Sequence, residues 1–273
     1  GPIPKMGIAG AAWATVIAQS VSFTLYAKSF IGNQSDPRAL RFVRPVIDRQ
    51  LLGDIIGQGL PAGVQFLLLS AVLGLVLFAV KPYGAVWTAV AGGGFRVMQQ
   101  GILPMVAIAM ASTAIVGQNL GAGHVARIRR VTLLALGAVA VWALVAAVCV
   151  VAFATELSYV FVTSEQEVAV AVSYFHYSSP IFFAFGATLV ATNVMLGLGR
   201  TVPTLLAAVV KLIVLAVGLF VVMPYFEAAP VWIFGTQVIG QAVEAALGLW
   251  ILVWALAQLK RGGLNSDRAS STA

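Results

Sequence analysis

The sequence predicts an all-α integral membrane protein, a polytopic bundle of about seven transmembrane helices, on three observations. Only 9% of its residues are charged and 60% are hydrophobic, whereas soluble domains carry about 25% charged residues. The apolar residues gather into runs long enough for helices that cross a bilayer, which takes about 20 residues each. The basic residues fall between those runs. In a soluble protein a net charge of +7 would suggest nucleic acid. Beside membrane spans, anionic headgroups and topology explain it better, so the expected partner is membrane lipid and not nucleic acid. The single cysteine, Cys149, excludes an internal disulfide and a Cys-based metal cluster. The chain opens on Gly1 without a signal-peptide pattern and is expected to be a piece of a longer protein.

The first expected span covers residues 6–30. Its GIAGAAWAT start packs small residues that let membrane helices approach closely, and Lys28 near its end can snorkel to the interface. Residues 31–56 hold Arg38, Arg41, Arg44 and Arg49 and read as a charged linker with a surface helix. The second span is expected over residues 57–80, with Pro61 near its entry. The third, 85–116, contains Gly92, Gly93, Gly94 and Pro104, where kinks or an unwound turn are expected. The fourth covers 128–153. The connection after it carries Glu156, Glu165 and Glu167 and no basic residue. The fifth span, 168–196, should kink at Pro180. A GLGRTVP turn leads to the sixth, 204–222, and MPYFEAAP to the seventh, 231–259, before a polar tail. The domain reading is therefore 1–30, 31–56, 57–260 and a tail of 261–273.

Counting basic residues orients the bundle. Alternate connections hold four, three and one, and the tail holds three. The opposite-side connections hold only Lys81, and the opening segment only Lys5. The positive-inside rule then makes the linker, the central loop, the GLGR turn and the C-terminus cytoplasmic, in a multi-pass cell-membrane protein.

Residues 116–130, VGQNLGAGHVARIRR, form the most distinctive stretch. Gly117, Gly121 and Gly123 are expected to give tight turns and close backbone approach, and Arg127, Arg129 and Arg130 to mark a loop on the inner face. The Gly-Lys-Ser/Thr ending of a phosphate-binding loop is missing. GIAGAAWATVIAQ, GLPAGVQ, the VGQNLGAGHVARIRR loop and LGLGRTVP stand in the order and spacing of the multidrug and toxic compound extrusion (MATE) family, which the chain resembles along nearly its whole length. The resemblance implies two six-helix lobes around a cavity. This chain would hold the last helix of the N-lobe, the linker and a complete MATE-like C-lobe; the missing N-terminal lobe of the same protein becomes a partner. It also implies antiport of organic, often cationic small molecules against H+ or Na+, with no cofactor beyond that coupling ion. The loop motif would be Gly117, Gln118, Asn119, Gly121, Gly123 and Arg127, serving helix packing and gating. The NorM-type branch has carboxylates in the helices matching the second and fifth spans. This chain has QFLLLSAV in the former and no acid within the latter, so coupling is expected to rest on the N-lobe. Thr15 is its one candidate contributor here.

Charge at mid-membrane costs roughly 2.5–3.5 kcal/mol, so intramembrane ionisable residues are candidates by default. Three qualify: Arg96, Lys211 and Glu244. Gln237, Gln241, Glu244 and Gly248 share one helix face. Arg96 with Gln99 and Gln100, and His176 with Tyr177, complete the cavity candidates. Mutual pairing of Arg96, Lys211 and Glu244 as structural glue is an equal alternative. No nucleophile with a base, metal-ligand spacing or nucleotide loop suggests an enzyme. A retinal photoreceptor would use Lys211 but would need carboxylate counter-ions, and Glu244 alone is available. The runner-up function is a lipid-linked oligosaccharide flippase of the same wider superfamily, whose pyrophosphate asks for a cavity rich in arginine and lysine.

Overall fold

The structure, a computed structural model, describes residues 7–31, 48–225 and 229–271. The expected charged linker falls largely outside the described residues, as does Lys5. The chain divides into two compact units, Gly1–Leu52 and Gly53–Ala273. The first contains helix α1, Gly7–Ile31. Helix α2, Arg49–Val80, begins there and belongs to the second unit from Gly53 onward.

The second unit is a bundle of α-helices. A 3₁₀ turn, Lys81–Tyr83, joins α2 to α3, Ala85–Gly121. Then follow α4, Val125–Ala152, the short α5, Ala154–Ser158, α6, Glu165–Ser178, and α7, Ile181–Gly197. After α8, Val202–Val217, comes a π-helical turn, Gly218–Val222, then α9, Met223–Tyr225, and α10, Trp232–Ser271. Five of the described helical stretches are long and apolar enough to cross a bilayer unaided: α2, α3, α4, α8 continued through the π turn and α9, and α10. The pair α6 and α7, bent by 47° at their junction, makes a sixth span. The first expected span, residues 6–30, corresponds to α1, 25 residues long, and the count of seven stays an expectation.

Pro180 causes the bend. It has no N–H to continue the ladder, while the Phe182 and Phe183 N–H groups bond back only to Ser179 and Pro180. At the other end of α6, Ser164 and Glu167 form a reciprocal capping box, each accepting from the other's backbone N–H at 3.3 and 3.2 Å.

Helices α3, α4, α7 and α10 form the centre, α3 against α4 and α7, and α7 against α10. Met105, Ile128, Val139, Val190, Met195, Phe234 and Leu252 are buried there. Leu133, Leu134, Val141 and Leu144 of α4 and Trp250 and Val253 of α10 are exposed, the surface a bilayer covers.

The expected unwinding of the third span does not occur: α3 is helical from Ala85 through Gly121. Its glycines provide room instead. A Cβ on Gly93 would collide with the Phe161 ring and one on Gly94 with the Tyr174 ring, and at Gly101 the Phe182 ring lies 2.8 Å away. Small residues let neighbouring elements approach closely within a membrane. The central loop is also shorter than expected. Gly117, Gln118, Asn119 and Gly121 are helical, and only Gly123, at φ +71°, takes the left-handed conformation. His124 N–H bonds to Asn119 O at 2.8 Å and Gly123 N–H to Leu120 O at 3.1 Å, a Schellman termination. The same pattern ends α7, where Gly199 also has φ +71°, Arg200 N–H reaches Met195 O and Gly199 N–H reaches Leu196 O. LGAGH and LGLGR are thus one turn used twice. Between these turns the helices nearly touch: a Cβ on Gly197 would lie 2.7 Å from Thr113 O, and Thr113 Oγ1 lies 2.9 Å from Asn193 O and 3.0 Å from Asn193 Oδ1.

A membrane cavity walled by a buried ion pair

Lys211 on α8 and Glu244 on α10 meet across the interface of those helices, with Nζ donating to Oε2 at 2.6 Å and 8% of each side chain exposed. Gln241, one turn before Glu244, donates through Nε2 to Glu244 Oε2 at 2.9 Å and to Thr188 Oγ1 of α7 at 3.1 Å. Its Oε1 lies 3.4 Å from Lys211 Nζ. Both charges therefore sit in a hydrogen-bonded network, the condition under which buried charge is tolerated. The α10 face is built for close packing. Gly240 leaves the Lys211 stem at ordinary contact, 3.6 Å from where a Cβ would stand, and Gly248 does the same for Ala191.

The pair borders a cavity of about 200 Å³ between α2, α7, α8 and α10. Gln65 of α2 and Thr188, Thr192 and Asn193 of α7 supply most of its other polar lining; Phe66 and Phe185 supply aromatic walls. Gln65 is held in place by donating to Thr204 Oγ1 at 3.0 Å. Of the described residues lining the cavity, only Lys211 and Glu244 ionise.

The sequence candidates divide around this cavity. Lys211 and Glu244 line it, and Gln241 braces them from behind. Gln237 is half-buried on α10 and does not line it. Arg96, Gln99 and Gln100 are exposed on α3, away from the face that buries Val90, Gly94 and Met98. His176 and Tyr177 are exposed at the end of α6, the Tyr177 ring meeting Trp232 at 5.8 Å. Arg127 is exposed at the start of α4, and Asn119 caps its own helix through Ile115 O at 2.8 Å. Thr15 lies on α1, in the first unit. Sequence reasoning missed Gln65, Thr188, Thr192 and Asn193. The four-residue spacing of Thr188 and Thr192, which places them on one face of an apolar helix, was the available signal.

With this geometry in view, the sequence model of the MatE family matches residues 61–222, more than half of the chain. The chain belongs to the MatE family. Among curated proteins, the probable multidrug resistance protein YoeA of Bacillus subtilis (strain 168) is 24% identical over 94% of this MatE chain and 57% of its own length. Among solved structures, a multidrug resistance MATE family transporter of the MOP superfamily, outward-facing, superposes with a TM-score of 0.86 at 19% identity, over 94% of this chain and 58% of that one. A MOP superfamily transporter from Pyrococcus furiosus, described as having a binding pocket of reversed polarity, gives 0.86 at 21% identity over 93% and 57%. This MatE chain thus spans somewhat over half the length of the relatives it matches, and the structural likeness establishes the fold.

Proposed function

We propose that this MatE chain carries the C-terminal lobe of a secondary transporter that exports organic, often cationic compounds by alternating access, in exchange for H+ or Na+. The observation that carries the reading is the neutral Lys211–Glu244 pair on the wall of a polar-and-aromatic cavity within a MatE fold. Intramembrane ionisable groups facing a cavity are the parts from which substrate and ion pathways are made. Alternating access sets one repeat rocking against another around a site between them, so the reading assigns the remainder of the transporter, an N-terminal lobe, to sequence outside this chain. The arginine-bearing turns at Arg127–Arg130 and Arg200, and the C-terminus, face the cytoplasm in this reading. A flippase for pyrophosphate-linked lipid is the weaker alternative, because Lys211, the one lysine lining the cavity among the described residues, is already neutralised by Glu244.

The test is drug resistance. Cells stripped of endogenous efflux pumps and expressing the full-length transporter that contains this chain should survive higher ethidium concentrations than cells without it. Equal survival at verified membrane abundance would refute the proposal.

A further inference from the structure

Building on the transport reading above, we infer that Lys211 is a proton carrier: a cation entering the cavity takes the place of its ammonium on Glu244, and one proton leaves in exchange. The charge inventory leads there. Among the described residues, Lys211 and Glu244 are the only ionisable side chains lining the cavity; α2 and α7 contribute Gln65, Thr188, Thr192 and Asn193, none of which titrates. While Lys211 occupies Glu244, the site is neutral and gives an entering cation no net attraction. If the cation simply joined them, two positive charges would share one carboxylate where each side chain is 8% exposed, and an unpaired charge in such surroundings is strongly disfavoured. Lysine has a way out that arginine lacks, since an ammonium can lose a proton and a guanidinium does not.

The hydrogen bonds provide for both states. Gln241 Oε1, 3.4 Å from Lys211 Nζ, gives the uncharged amine an acceptor once it leaves the carboxylate. Gln241 Nε2 continues to hold Glu244 Oε2 at 2.9 Å. Among the described residues Glu244 Oε1 carries no hydrogen bond, which leaves one carboxylate oxygen of a cavity-lining residue uncommitted. In the exchange, one N–H bond of Lys211 breaks, its electron pair stays on nitrogen, and the proton passes to water. The cation then pairs with Glu244, so the site is neutral before and after. Reprotonation of Lys211 restores the ion pair and expels the cation, giving antiport by mutual exclusion. A cavity of about 200 Å³ suits a small organic cation or the charged head of a larger one.

Tetraethylammonium is the probe, because it is permanently charged and brings no proton of its own. Calorimetric titration of the purified 273-residue chain in lipid nanodiscs, near neutral pH and in buffers of different ionisation enthalpy, counts protons released per cation bound. The expected result is one. Lys211→Gln should bind without release. Lys211→Arg preserves the ion pair and so controls for folding; it should bind at least about tenfold more weakly. Wild-type binding without proton release, no wild-type binding, or Lys211→Arg binding as tightly as wild type would each overturn the inference. Resistance conferred by the full-length transporter in spite of such a result would leave the transport reading standing and remove only the exchange at Lys211.

Discussion

Replacing Glu244 by glutamine removes the carboxylate that Lys211 Nζ meets at 2.6 Å while leaving the side chain's shape almost unchanged. At that separation and an effective dielectric constant near 20, the Coulomb attraction is about 6 kcal/mol. It is opposed by a desolvation penalty of several kcal/mol for each ion, so the net value of the intact pair is small. Breaking the pair is a different matter. With 8% of the Lys211 side chain exposed, a stranded ammonium should cost about 3–5 kcal/mol, roughly two to four orders of magnitude in the folded-to-unfolded ratio. Lys211→Met with Glu244→Leu removes both charges together, and the double variant should fall within about 1 kcal/mol of wild type or be more stable. Reversible unfolding of wild type, Lys211→Met, Glu244→Leu and the double variant in mild detergent, followed by tryptophan fluorescence, supplies the four corners of a double-mutant cycle, with Glu244→Gln measured beside them. Additive losses in the double variant would refute the claim that the charges interact, and a harmless Glu244→Gln would refute the claim that the site is buried.

Three further outcomes are expected. Gly121 is helical with nothing within 4 Å of where a Cβ would stand, whereas Gly123 has φ +71°; Gly121→Ala should therefore stabilise by about 0.5–1 kcal/mol, and Gly123→Ala should destabilise by about 1–2 kcal/mol, with detergent melting as the readout. Ser164→Ala deletes the acceptor for Glu167 N–H and should cost about 1 kcal/mol, seen as faster amide exchange in the first turn of α6. In a Cys149-free background, single cysteines at Ala122 and Arg200 should be labelled by an impermeant maleimide from the cytoplasmic side, and cysteines at Tyr83 and Thr163 from the other; labelling of all four from one side would break the alternating topology.

What the sequence revealed, and what it hid, follows from the range of the physics involved. Span positions, the Pro180 bend and the shared face of Gln241 and Glu244 depend on local composition and helical period, so they can be read from one stretch at a time. The MatE motifs added the fold around them. The partners of Gly93 and Gly94 are Phe161 and Tyr174, which lie beyond α4, in the connection before α6 and in α6 itself. A glycine run reads equally well as a flexible break or as a contact surface until those rings are in place. Gly121 misled for a related reason, since the left-handed residue a turn requires is set by where the helix stops and not by how many glycines surround it. Among the three charged candidates, the sequence permits any pairing. Only the packing of α8 against α10 joins Lys211 to Glu244 and leaves Arg96 exposed on α3. The polar cavity lining on α2 and α7 was hidden because Gln65, Thr188 and Thr192 are uncharged, and in an apolar helix charge stands out far more than a lone amide or hydroxyl.

Flux in a sealed system is the most direct measurement of cation-coupled transport. The full-length transporter containing this chain, reconstituted into proteoliposomes, should move ethidium only when an opposing proton or sodium gradient is imposed, and the movement should stop when that gradient is collapsed. Ethidium movement that ignores both gradients, or none at all from correctly inserted protein, would contradict it.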